Sequence, residues 1–114
     1  MKLINKTKNT IIAEDVIVAD SIVKRMVGLL GRKGLFPKQA MILRPCNSIH
    51  TFFMSFPIDV IFLNKFNVVV KVISSIKPFR MSGIYFGASY AIEFPALSII
   101  PSLVSKGDTI LPEA

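Results

Sequence analysis

"IDVIFLNKFNVVVKVI", Ile58 to Ile73, is the stretch on which the fold class turns. Two runs rich in valine, isoleucine and phenylalanine flank Asn64-Lys65-Phe66-Asn67, a strand–turn–strand pattern of the hairpin kind. β-Branched and aromatic side chains fit a pleated surface better than a helix. In the first run Asp59 shares a face with Ile61 and Leu63, while Ile58, Val60 and Phe62 share the other. Both faces are apolar, so Asp59 is expected to be at least half buried at a strand start and to need a donor. Backbone amides, His50, Arg44 and Arg80 are the candidates.

The same alphabet continues on either side of the hairpin. Upstream, "AMILR" is followed by the turn-forming "PCNS" and then "IHTFFM". Downstream, "IKPFRMSGIYFGAS" is looser, "YAIEF" is a strand stopped by Pro95, and "SKGDTIL" places a tight turn before a last strand. Glu93 alternates with Ile92 and Phe94, which predicts a solvent-facing position on a half-buried strand. At the N-terminal side "KLIN", "NTIIA" and "DVIVAD" are short strands. Between them and "AMILR" lies "DSIVKRMVGLLGRKG", whose spacing predicts a helix from about Ser21 to Leu30 with Ile22, Met26, Leu29 and Leu30 on one face. Asp20 or Ser21 is placed to cap it and Gly31 to end it. Short strands with turns at this spacing predict a mainly β fold, a compact sandwich or barrel with one short helix laid across it.

The totals agree. A chain of 114 residues forms one domain, 1–114, long enough for a core without disulfides. It is 52% hydrophobic and 18% charged, where about a quarter charged is usual. The excess apolar surface must enter a large core or a subunit interface, so a homo-oligomer is left open. No apolar run approaches the ~18 residues of a membrane span, and acidic residues in "TIIAEDVIVAD" interrupt what would be a signal-peptide core. With a single cysteine and no such signal, the chain is expected to be cytoplasmic. Its net charge of +7 comes from scattered basic residues with no run longer than two, which favours a solvated basic surface over a dedicated nucleic-acid site without excluding one.

The one cysteine and the one histidine, Cys46 and His50, lie in "PCNSIHTFFMSFPID". On one extended strand they would be about 13 Å apart, too far for a thiol–imidazole bond. A turn through Cys46, Asn47 and Ser48 would fold the thiol back towards the ring. Zinc needs three or four ligands, so no metal site and no cofactor are expected. Arg44, His50 and Asp59 are the candidate ligand-binding residues, and Cys46, His50 and Asp59 the weak catalytic ones. The leading expectation is a non-enzymatic binding or accessory module recognising a protein or small molecule near residues 44–59. The alternatives are a thiol-dependent enzyme or redox protein using Cys46 with His50, and a nucleic-acid binder using Lys24, Arg25, Arg32, Lys33 and Arg80.

Taken together, "GLLGRKGLF", "AMIL", "IHTFFMSFPIDVIFL", "YAIEFPA" and "KGDTI" resemble the bacterial and archaeal domain of unknown function 192 family over roughly residues 10 to 112. The resemblance implies a compact jelly-roll-like sandwich with a short helix, and no established activity. The chain departs from many members in lacking a Trp-Met-Lys-Asn-Thr block, and is similar to the branch with the Cys and His-Thr instead. Phe94-Pro95-Ala96-Leu97 stands where the family usually has a glycine after the Glu-bearing strand.

Overall fold

Among the described residues eight strands form, nearly all where the apolar runs place them: β1 (Lys2–Asn5), β2 (Thr10–Ala13), β3 (Asp15–Ala19), β4 (Gln39–Leu43), β5 (Ile58–Leu63), β6 (Val69–Ile76), β7 (Tyr90–Pro95) and β8 (Ile110–Glu113). The structure is a computed structural model that describes residues 1–21, 38–51, 55–98 and 103–113. The expected helix, with Ile22, Met26, Leu29 and Leu30, lies outside the described residues, as does the second half of "IHTFFM", residues 52–54. The described part of that run, residues 49–51, contributes a single bridge at His50 and no strand.

The strands make two sheets, one of order β2-β1-β8 and one of order β3-β4-β7-β5-β6. β5 and β6 are the expected antiparallel hairpin, with Ile61 opposite Val72. Its turn is closed by Asn64, whose side chain accepts from the amides of Phe66 and Val68, while Asn67 takes a φ of 65°. β3 and β4 pair in parallel, the arrangement that requires a long crossover between them. The other pairings in both sheets are antiparallel.

Two apolar layers hold the sheets. The inner one, between the sheets, joins Leu3, Ile12 and Ile110 of the small sheet to Ile42, Ile61, Leu63, Ile92 and Phe94 of the large one. The outer one covers the opposite face of the large sheet, where Met41, Leu43, Val60 and Phe62 lie under Ile49, Phe56 and Tyr85. The Tyr85 ring sits 4.8 Å from that of Phe62. With both faces covered, β5 is buried along its whole length.

That second layer corrects one expectation. Glu93, read as solvent-facing, is 0% exposed. It stands on β7 opposite Met41 and Val60, two outer-layer residues. Alternation within "YAIEF" is real, but the face that alternation assigns to water is roofed by irregular chain.

Candidate functional site

The roof is made of two segments laced together. Residues 46–51 leave the end of β4, and residues 77–89 run back over them. The Tyr85 amide donates to Asn47 O, Ser82 N to Ile49 O, Phe79 N to Thr51 O, and Thr51 N to Arg80 O, all at 2.8–2.9 Å. Side chains close the gaps. Thr51 Oγ1 donates to Lys77 O at 2.6 Å, and Ser82 Oγ accepts from the Ile49 amide at 2.8 Å. Buried Ile49 and Thr51 anchor one segment, and Tyr85 anchors the other.

The 44–50 segment starts at a cis Arg44–Pro45 bond and turns at once. The Cys46 amide donates to Ser89 O at 3.0 Å. The Cys46 thiol, partly buried against the outer layer, donates to Ser48 O at 3.1 Å. That turn folds the chain so that Cys46 and His50 line one cleft of about 230 Å³, together with Ser21, Leu43 and Ser48. A shallow depression shared by Pro45, Cys46, Asn47 and Ser89 leads out of it. Pro45 and Ser89 also line a second cleft, of about 460 Å³, that contains Arg44, Lys65, Asn67 and Tyr90.

Neither the position of Tyr90 nor that of Lys65 was among the sequence-based candidates. The β4–β7 register sets Leu43 opposite Ala91, and this brings Arg44 and Tyr90 side by side. The guanidinium lies 5.8 Å from the ring centroid, within range of a cation–π contact. The Tyr90 hydroxyl donates to Asn67 Oδ1 at 2.7 Å. Burial pushes the Tyr90 phenol above its ordinary pKa, and the Arg44 charge offsets part of that rise.

Asp59 is elsewhere. It is 0% exposed, and alternation places it on the inner-layer side with Ile61 and Leu63. One donor to it is a backbone amide: Ser75 N bonds to Asp59 Oδ1 at 2.7 Å. Ile58 faces Ile76 and Val60 faces Ile73, so β6 carries an extra residue here, and Ser75 takes a φ of 53°. The carboxylate holds a β-bulge. Residues 49–51 do not pair with β5, whose two edges are taken by β6 and β7. The His50 backbone bridges to Met81 instead.

Of the cations weighed for a nucleic-acid face, Lys24, Arg25, Arg32 and Lys33 lie outside the described residues, while Arg80 is exposed. Among the described residues no three His, Cys, Asp or Glu side chains gather as a metal-ligand set. No helix among them is long and apolar enough to cross a membrane.

Comparison with known proteins follows the same lines. The family model DUF192, described as uncharacterized ACR, matches residues 3–111. A UPF0127 protein of Pyrococcus horikoshii is 37% identical over 99 residues, spanning 82% of this chain and 83% of its own. A UPF0127 protein of Pyrococcus furiosus is 35% identical over 114 residues, 95% of each chain. A crystal structure of a protein of unknown function from Novosphingobium aromaticivorans superposes with a TM-score of 0.81 at 15% identity. It covers 97% of this chain and 84% of that one. The chain belongs to the DUF192 family, and the fold it shares with the solved structure extends over almost its whole length.

Proposed function

We propose that this chain is a small non-enzymatic binding module whose ligand lies in the groove at the end of β4. The observation that carries this reading is a row of three neighbouring clefts, all of them lined by Pro45. Cys46 and His50 line one end, and Arg44, Lys65 and Tyr90 the other. Loops at the end of a rigid sheet are where binding residues gather. Arg44 supplies a planar charged fork and Tyr90 an aromatic face, which together suit a small molecule carrying a carboxylate or phosphate on an apolar body. His50 adds a polar group at the far end. Asp59 is not part of this groove: it lies towards the other end of β5, opposite Phe94, where it fixes the bulge in β6. Cys46 gives its hydrogen to Ser48 O, an arrangement a thiolate cannot make.

Ligand-detected NMR with a set of small carboxylates and organic phosphates tests the reading. Binding is expected to disappear in Arg44→Gln, with an unchanged melting curve, and to persist in Cys46→Ser. Binding indifferent to Arg44→Gln overturns it. One observation favours a second reading: Cys46 and His50 line the same cleft, as thiol chemistry would require. Rapid, His50-dependent alkylation of Cys46 by iodoacetamide would support that alternative.

A further inference from the structure

We infer that the 77–87 strap docks this protein onto an anionic phospholipid surface. Four large apolar side chains stand out from it. Phe86 is 89% exposed, and Phe79, Met81 and Ile84 are 59–67% exposed. Large apolar side chains are exposed elsewhere too, Phe66 at 68% and Leu97 at 75% among them, but only here do four of them fall within one short stretch of the described residues, 79–86. These four are not held loosely. The strap is tied to Asn47, Ile49 and Thr51 by backbone bonds, so these side chains are presented on a firm support.

Charge says what they face. From Val60 to Ile92 the sequence has no acidic residue, and its charged groups are Lys65, Lys71, Lys77 and Arg80. Lys77 and Arg80 belong to the strap and are exposed. Beside them is an open depression of about 410 Å³, lined also by Ser74, Ser75 and Met81. Two cations and three serines, Ser82 being the third, at its wall match the chemistry of a lipid phosphate. The protruding side chains match the acyl boundary just beneath, the division of labour seen in interfacial membrane binding. A second copy of the chain is a poor occupant, because it would bring Lys77 and Arg80 against their own counterparts. An acidic protein would meet the charge. It is the alternative that the experiment below separates from a membrane.

Vesicle co-sedimentation of the full chain tests this, using phosphatidylglycerol and phosphatidylcholine in equal parts, against phosphatidylcholine alone. The protein is expected to bind the mixed vesicles and not the neutral ones. Lys77→Gln or Arg80→Gln should each lower the partition coefficient roughly fivefold. Phe86→Ser should lower it by about tenfold or more at unchanged charge. Phe86 is so exposed that its replacement leaves the fold intact, which the melting curve verifies. No binding to mixed vesicles overturns the inference. So does binding that Phe86→Ser leaves unchanged, since that is charge attraction alone. Soluble glycerol phosphate that displaces the protein from vesicles at equal phosphate concentration would assign the depression to a free anion. Self-association lost in Phe86→Ser would assign the strap to a second copy, and retention by an acidic protein column but not by vesicles would assign it to a protein. Each of these also overturns the membrane assignment.

Discussion

Replacing Asp108 with asparagine tests how the ends of the chain are held. Asp108 is 6% exposed, and Asn5, beside it, is 0% exposed. One carboxylate oxygen accepts from Lys8 Nζ at 2.5 Å, Asn5 Nδ2 at 2.9 Å and Ser105 N at 2.9 Å. Asn5 also donates to Leu103 O at 2.7 Å. Hydrogen bonds to a charged acceptor are worth roughly 1.5–3 kcal/mol each. An amide oxygen would keep part of this geometry, and Lys8 can turn to water, so Asp108→Asn is expected to destabilise by about 3 kcal/mol. For a chain of this size that is on the order of 10–20 °C in melting temperature.

The pH dependence has a definite sign. Burial pushes the Asp108 carboxyl up, but hydrogen bonds from Lys8, Asn5 and the Ser105 amide, with the Lys8 charge, outweigh it and hold the pKa below its ordinary value. The stabilisation is therefore complete above the unfolded value, about 3.9, and is lost as pH falls through the lower folded value. Urea titrations at neutral pH and at about pH 3 should show the gap between wild type and Asp108→Asn narrowing in acid. A gap below about 0.5 kcal/mol at neutral pH, or one that does not narrow, would refute the reasoning.

Three further outcomes concern the bulge and the groove. Asp59→Ala removes the acceptor for Ser75 N and should destabilise by roughly 2 kcal/mol in the same urea assay, whereas Cys46→Ser, which keeps a donor for Ser48 O, should stay within about 0.5 kcal/mol of wild type. Arg44→Gln removes the charge that offsets burial at Tyr90, so the Tyr90 phenol should ionise at still higher pH in an ultraviolet titration; an unchanged or lowered midpoint would show that Arg44 does not act on that ring.

The hairpin was legible because everything that makes it is local. Its two apolar runs and Asn64-Lys65-Phe66-Asn67 lie within one short stretch. The burial of Asp59 was legible for a related reason, since apolar residues on both of its faces leave no solvent side. Its donor was harder to foresee, because the Ser75 amide comes from an extra residue in β6, which no periodicity announces. Glu93 was misread because alternation reports which residues share a face but not whether that face is covered. The cover here is residues 77–89, whose Pro78, Gly83 and Gly87 break any period. Arg44 and Tyr90 became neighbours only through the β4–β7 register, a non-local pairing that neither stretch encodes alone.

β1 is the middle strand of the small sheet, flanked by β2 and by β8. The pairing of Lys2 with Glu113 and of Asn5 with Ile110 imposes an order on assembly as the chain leaves the ribosome. β1 and β2 can close their hairpin almost at once. One edge of β1 and the apolar side of Leu3 and Ile12 then stay open until residues 103–113 have been made. The large sheet is synthesised entirely within that interval, and its inner face waits for the same closing strand. A nascent chain stalled before Leu103 would carry an unpaired strand edge beside exposed core, the combination that holdase chaperones recognise and that seeds aggregation.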